Sequence, residues 1–441
     1  MKTISLRPIP LRILFLLAAV AGITALSWLT IRTAVGDSVL TFVERNPNLS
    51  PQARLQGADT AVDYAGRDPR MHLGRGGVYL AAANEEQSEE RLTTALSELR
   101  TATALTPEDY RAWMTLGRAL DRNGATDEAK TALQRAVNLA PRHFDPRWAL
   151  ANHLLRAGER DAAFAEFRQA LDTRPSALPL VFDYAWDAYQ KDGQIDGRAI
   201  ASAVAAANES KAQLIALLIG RNRFSDALTV WRETPKRSEA DAKQVSTAFF
   251  NARQMAAAYE VWASVPIADR PSPDEGSLLA NGDFEKPLTL NSTVPFLTWI
   301  IQPVGGLKIS PDRKGPNTGK QSLLLSFNVS DNLPFTAASQ TVPAKPSTNY
   351  VLTYSVRTDE LKSLSLLAVE VVDAADATRF RAAAPLINGT EDWKTQEIKF
   401  TTNPKTEAVT VRIQRQPCAD LPCAVYGRAW LDGFKLAPTI H

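Results

Sequence analysis

Residues Pro107–Pro175 read PEDYRAWMTLGRALDRNGATDEAKTALQRAVNLAPRHFDPRWALANHLLRAGERDAAFAEFRQALDTRP. Pro107, Pro141 and Pro175 stand 34 residues apart. The same offset links Ala95, Ala129 and Ala163, then Leu99, Leu133 and Phe167, then Ala102, Ala136 and Ala170. Leu116 and Leu150 keep it, as do Gly117 and Ala151, and Gly124 and Gly158; Tyr79 stands one period before Trp113. A fixed period of this length marks a stack of like units, each too small to bury its own apolar face. Small residues at Gly117 and Ala129 let two antiparallel helices approach. Trp113 and Leu133 fill the space around that approach, and proline ends the second helix.

Trp113, Leu116, Gly117, Ala129, Leu133, Ala136 and Pro141 in that order resemble the tetratricopeptide repeat. The resemblance implies an α-solenoid of helix pairs with a groove lined by the first helix of each unit. Carried over residue by residue, the groove positions are Leu80, Asn84 and Gln87; Arg111, Met114, Arg118 and Asp121; Asp145, Trp148, Asn152 and Leu155, with Arg122 and Arg156 beside them. Asn84 and Asn152 suit an extended peptide backbone, and Arg118 suits a carboxylate. The family's clamp for chaperone tails is absent, since its places hold Ala81, Thr115 and Ala149. Solvated helix faces, with Trp148 as core, are the alternative reading.

The array extends both ways, over 50–266. Upstream, Ala61, Tyr64 and Ala65 precede Pro69 as a degenerate leading helix. Downstream, Asp226–Pro235 (DALTVWRETP) matches Ala257–Pro266 (AAYEVWASVP) at a spacing of 31, with Trp231 and Trp262 in the same place. Tyr184–Ala207 reads as one divergent pair.

Ile13–Ile31 holds no charged side chain between Arg12 and Arg32. At about 1.5 Å per residue it nearly matches a hydrocarbon core of about 30 Å. Lys2, Arg7 and Arg12 precede it with no acid. The positive-inside bias then keeps residues 1–12 cytoplasmic and exports all that follows. The expectation is a single-pass anchor at 13–31 in a bacterial inner membrane with a periplasmic body. A cleaved signal peptide, cut near Ala34, is the alternative, and it also exports the body.

Ile267–Ser277 (IADRPSPDEGS) reads as a linker. Beyond it, β-branched and alternating runs replace the alanine-rich helices. Ser322–Val329, Tyr350–Arg357, Leu364–Val372, Trp393–Phe400 and Ala408–Gln414 read as strands. An antiparallel β-sandwich or jelly roll over 278–441 follows. LLANGDFE (278–285), Trp299, GKQSLLLSF from Gly319, QTVPAKPSTNYVLTYSVRT from Gln340, GTEDWKTQEIKF from Gly389 and GRAWLDGFKL from Gly427 together resemble a galactose-binding-like jelly roll of the carbohydrate-binding-module type. The resemblance implies that first and last strands meet, and that Asp283, Glu285 and Asp432 hold a structural calcium. Strand-end capping by Glu285 and Asp432 is the alternative. It also implies exposed rings for sugar. Phe335 and Tyr426, expected in loops, are the candidates, whereas Trp299, Trp393 and Trp430 read as packing residues.

Lys plus Arg is 50 against 48 acids, a net charge of +2, so no nucleic-acid partner is expected. A zinc half-site at Cys418 and Cys423 would need a second Cys or His pair, and none is near; a local disulfide in an oxidising compartment is favoured. There is no Gly-x-Ser-x-Gly elbow, phosphate loop or His-Glu-x-x-His, and His72, His143 and His153 lie singly in repeat helices. No catalytic residue is assigned and no cofactor beyond the calcium. The reading is a non-catalytic, membrane-anchored scaffold. Its groove binds a protein partner of the cell envelope and its sandwich binds polysaccharide, in exopolysaccharide or envelope assembly. Two alternatives stand: a glycan lyase or hydrolase with a targeting array, and a sugar-independent assembly factor.

Overall fold

The computed structural model describes residues 9–191, 194–204, 211–266, 270–288, 296–330, 332–418 and 423–439. Lys2 and Arg7, on which the topology expectation rests, lie outside them, as do residues 267–269 of the expected linker. Compactness divides the chain into two units, Met1–Ile195 with Ser202–Ala206, and Asp196–Ala201 with Ala207–His441.

Among the described residues the first unit opens with eight helices: α1 (Ile9–Arg45), α2 (Pro51–Ala65), α3 (Pro69–Glu86), α4 (Glu89–Leu105), α5 (Tyr110–Arg122), α6 (Thr126–Leu139), α7 (Phe144–Arg156) and α8 (Arg160–Leu171). A ninth, α9 (Leu178–Ala188), follows, then the short strands β1 (Gln190–Lys191) and β2 (Gln194–Ile195). Helix starts are written locally. Ser50, Asp68, Ser88 and Asp109 each accept a hydrogen bond from a first-turn N–H, and Pro51 and Pro69 occupy the first helical position. Consecutive helices form antiparallel pairs, and α1, α3, α5 and α7 stack on one another.

Within a pair the close approach falls where small residues permit it. A Cβ placed at Gly117 would stand 2.6 Å from Leu133 Cγ. The preceding pair uses Gly76, whose Cβ would stand 2.6 Å from Leu99 Cγ. Gly76 sits seven residues ahead of the position the 34-residue register assigns, which is Ala83. Seven residues are about two helical turns, so both lie on one face of the longer α3.

Helix α1 has 37 residues, about 55 Å of helix. Among the described residues it is the one helix long and apolar enough to cross a membrane. Leu14, Leu26 and Trp28 stand exposed along its first part. Past Arg32 the same helix becomes part of the array. Leu40 is wholly buried with Ala61, Ala65 and Met71, and Val43 is buried one turn on. Helical packing therefore begins inside α1, upstream of residue 50, because an unbroken helix carries the chain there. Leu40→Ala should destabilise the leading unit by about 2–5 kcal/mol, read as a fall in thermal midpoint. An unchanged midpoint would show that the second half of α1 does not belong to the array.

The second unit holds α11 (Ala212–Gly220), α12 (Phe224–Glu233), α13 (Glu239–Asn251) and α14 (Met255–Ala263) together with a two-sheet sandwich; α10 (Gly197–Val204) lies at the division. Among the described residues ten strands form the sandwich: β3 (Ile300–Ile301), β4 (Leu307–Asp312), β5 (Ser322–Val329), β6 (Phe335–Pro343), β7 (Asn349–Ser363), β8 (Leu367–Asp373), β9 (Arg381–Pro385), β10 (Gly389–Thr401), β11 (Ala408–Arg415) and β12 (Val425–Pro438). The sheet orders are β10-β7-β12-β5-β4 and β3-β6-β11-β8-β9, antiparallel throughout. Leu323, Leu325, Leu352, Val356 and Leu431 of one sheet and Val369, Val371, Val411 and Ile413 of the other are buried. Leu278 N–H donates to Leu436 O at 2.7 Å, so the opening segment runs beside the last strand.

The last helices are joined to the sandwich by side chains. Phe296 lies edge-on to Phe250 and Tyr259 and against Trp262. Glu407 accepts the N–H of Ala256 in the first turn of α14, where a carboxylate also opposes the helix dipole.

Candidate functional site

The stacked first helices α3, α5 and α7 present the expected groove residues, but several are spent within the fold. Asp121, at the end of α5, accepts from His153 Nδ1 at 2.7 Å and pairs with Arg156 on α7. Arg122 donates to Gln87, the residue that caps α3, in the same way. These contacts form a ladder between successive first helices. Arg111 forks onto Asp109 at 3.0–3.1 Å. Burial would raise the Asp109 carboxyl, yet the hydrogen bonds and charge of Arg111 outweigh it and hold it below the usual carboxylate range. Asn152 donates to Trp148 O one turn back. Trp148 stacks on Phe144 and meets Phe167 and Tyr184, so it belongs mainly to the packing between α7, α8 and α9. Leu80 is buried core.

What remains for a partner is a narrower surface. Asn84 and Arg118 are exposed and Met114 is half-buried. Arg118 has no hydrogen bond or ion pair among the described residues, and it lies one turn beyond Met114 on α5. A pocket of about 780 Å³ opens between α7, α8 and α9, lined by Leu155, Glu159, Arg160, Asp161, Tyr184 and Asp187. Sequence reading missed it because one wall is α9, where the repeat register loosens. Arg147 was missed too. Six residues past its proline, as Trp113 is past Pro107, it donates to Pro141 O at 2.7 Å just as Trp113 donates to Pro107 O.

The sandwich carries a second site on the outward face of β10-β7-β12-β5-β4. Register sets Arg357 opposite Trp430, and a register shift between Glu391 and Lys394 brings Trp393 alongside. The Arg357 guanidinium lies 4.2 Å from the Trp430 ring centre and 5.4 Å from that of Trp393, an indole–guanidinium–indole stack. Trp430 Nε1 donates to Asp312 at 2.6 Å and Trp393 Nε1 to Gly315 O at 3.1 Å. Arg428, paired with Asp359, flanks Trp430. Trp299 is core, against Phe284 and Phe434, as the sequence suggested. Trp393 is half-buried and faces outward, unlike a core residue.

Burial would raise the Asp312 carboxyl. Hydrogen bonds from Trp430 and the Lys314 N–H, with the charges of Lys314 and Arg357, overcome this and lower it. A depressed carboxyl contributes stability above its unfolded pKa of about 3.9 and loses it as pH falls through the folded value. Asp312→Ala, which leaves Trp430 Nε1 unpaired, should cost about 1–3 kcal/mol at neutral pH. The cost should shrink at acid pH, read from thermal midpoints across a pH series.

Phe335 and Tyr426 are not in loops; they open β6 and β12. Phe335 lies under the guanidinium of Arg415, and Tyr426 is exposed. Cys418 and Cys423 form the expected disulfide.

Asp283, Glu285 and Asp432 are not gathered into a ligand set, and among the described residues no cluster of three His, Cys, Asp or Glu could hold a metal. Asp432 is buried and accepts the N–H groups of Asn317, Thr318 and Gly433. Burial pushes its carboxyl up against those bonds. Glu285 accepts the N–H groups of Lys320 and Gln321. Glu285 thus ties the opening segment to the β4–β5 loop, and Asp432 ties the last strand to the same loop, by direct hydrogen bonds, which is the capping alternative.

Several known structures are similar to parts of the chain. The crystal structure of MamA matches with 18% identity over 35% of this chain and 84% of that one, with a TM-score of 0.30. A thermophilic TPR protein of Thermus thermophilus matches with 23% identity over 36% and 98%, TM-score 0.29. A Family 16 carbohydrate-binding module matches with 20% identity over 31% and 89%, TM-score 0.22. No curated protein matches the chain. The tetratricopeptide repeat family model matches residues 86–152, which span α4, α5, α6 and most of α7. Met114 and Arg118 lie within the stretch that matches the tetratricopeptide repeat, and such repeats suggest a protein-binding scaffold.

Proposed function

We propose that this chain is a non-catalytic scaffold anchored as a single span in the bacterial inner membrane. Its amino terminus is cytoplasmic and its body periplasmic. The repeats hold a protein partner of the cell envelope through Asn84, Met114 and Arg118, and the sandwich binds polysaccharide, in exopolysaccharide or envelope assembly. One observation carries the reading. The apolar stretch and the first array helix are one helix, α1, with Leu40 and Val43 locked into the repeats. An anchor joined to a scaffold without a hinge holds its cargo at a set distance from the bilayer.

The half-buried Trp393 supplies a face for a sugar ring, and Arg357, Arg428 and Asp359 supply flanking polar groups. The Cys418–Cys423 disulfide agrees with an oxidising compartment.

Mild crosslinking of the full chain in its membrane, then affinity purification, should recover one consistent envelope protein. Arg118→Glu should reduce that recovery by about tenfold, as for a central interface residue. Recovery of no consistent protein sinks the scaffold reading. On a panel of acidic and neutral glycans the full chain should bind at least one class, and Trp393→Ala should abolish it. Binding to none leaves the sugar-independent assembly factor.

A further inference from the structure

One end of the sandwich gathers large apolar side chains that point to solvent. Leu364 and Leu366, in the turn between β7 and β8, are 77% and 43% exposed. Leu333, just ahead of β6, is 64% exposed, and Tyr426, at the start of β12, is 44% exposed. Single exposed leucines are ordinary, but several brought to one place mark an interaction surface.

Convergence here is enforced by bonding. Arg415, wholly buried at the end of β11, donates to Ser365 Oγ at 3.0 Å, to Leu333 O at 3.2 Å and to Cys423 O. Gln416 N–H donates to Leu366 O at 2.9 Å. One buried guanidinium thus ties together the two leucine-bearing loops and the disulfide loop that leads into Tyr426. Strand register sets Tyr426 opposite Lys362, two residues before Leu364.

The chemistry of the tips selects the surface they fit. Lys362–Leu366 reads KSLSL and Leu333–Phe335 reads LPF, so Lys362 is the one charge in these segments and there is no carboxylate. Leu364 projects as a point and does not line a groove, which suits a fluid medium better than a shaped protein pocket. Leucines for the hydrocarbon, a tyrosine for the headgroup level and a lysine for phosphate match the layers of a bilayer interface. The chain also carries a membrane-length helix. A tether makes weak surface contact effective by raising local concentration.

We propose that Leu333, Leu364, Leu366 and Tyr426 form a phospholipid-contacting tip, a second membrane contact separate from α1. The proposal draws on the anchored reading only for the nearness of the bilayer.

The test uses the full chain in vesicles of phosphatidylethanolamine and phosphatidylglycerol. The photoreactive amino acid p-benzoylphenylalanine replaces Leu364, Leu26 of α1 or, as a control, Leu180 of the helical unit, which is exposed to a similar degree as Leu366. Mass spectrometry of the adducts should show lipid at position 364, about tenfold above position 180, as expected for a tethered interfacial contact. Lipid at 26 and none at 364 overturns the tip and leaves the anchor. Lipid at 364 and none at 26 keeps the tip and removes the anchor. Adducts at 364 to one consistent protein, or none above the control, overturn the proposal. The double substitution Leu364→Ser and Leu366→Ser, on exposed loops, should cut lipid adducts from a probe at Leu333 several-fold; unchanged adducts there also count against it.

Discussion

Phe167→Ala should destabilise the leading helical unit by about 3–5 kcal/mol, the usual cost of emptying a ring-sized space in a packed core. Phe167 is wholly buried on α8, at the place that Leu133 and Leu99 take one and two periods earlier. Its ring centre lies 5.0 Å from Trp148 and 5.6 Å from Tyr184, so it joins α7, α8 and α9. Repeat arrays are stabilised by nearest neighbours, so the loss should show first in faster amide exchange of α7, α8 and α9. Strand amides of the sandwich should be unaffected.

The same series decides what Trp148 is. If it is packing, Trp148→Ala lowers the midpoint, and the double variant with Phe167→Ala costs less than the sum by about 0.5–3 kcal/mol of coupling. Additive costs, or an unchanged midpoint for Trp148→Ala, would return Trp148 to the partner-binding face.

The helical part was readable because its determinants are local and periodic. Proline, glycine and alanine spaced 34 residues apart report the same helix-pair contact in each unit, and Gly117 against Leu133 is that contact seen directly. Reading faltered where a contact is made by a residue off the period. Gly76 replaces the expected position by a two-turn shift, and Arg147 replaces an aromatic by offering the same donor to the same carbonyl. Side-chain availability was not readable at all. Asp121 and Arg156 occupy groove positions, yet they face each other across successive repeats, 35 residues apart.

In the sandwich, strand existence followed from alternation; β5 matches its expected span of Ser322–Val329 from end to end. Which tryptophan faces outward did not follow, because facing depends on register between strands distant in sequence. Trp393 reaches Arg357 through a local shift in the β10–β7 pairing, and a one-residue slip turns a side chain to the other face. Arg415 shows the same limit: nothing near it in sequence tells that it gathers Leu333, Ser365 and Cys423.

Glu370→Ala is the second large effect expected, about 3 kcal/mol of lost sandwich stability. Glu370 is wholly buried on β8, and its oxygens meet Arg412 Nε on β11 at 2.6 Å and Arg381 Nε on β9 at 2.5 Å. The Arg412 contact is an aligned hydrogen bond, whereas the Arg381 contact is a close ion pair without that alignment. Removing the carboxylate leaves two like charges, on β11 and β9, facing each other across β8 with no acid between them. Arg381 is 39% exposed and Arg412 27%, so water tempers the cost and places it at the low end for a buried pair. Glu370→Gln keeps the shape and should cost less than the alanine. Replacing all three by apolar residues of similar volume should be close to neutral, because the desolvation cost leaves with the charges. The triad would then act chiefly to hold the β11-β8-β9 register, which an all-apolar face sets less sharply. Hydrogen exchange of β9 in the triple variant separates the two roles. Faster exchange at β9 with an unchanged thermal midpoint supports register control, and a midpoint lowered as far as in Glu370→Ala would show that the ion pairs themselves stabilise the sheet.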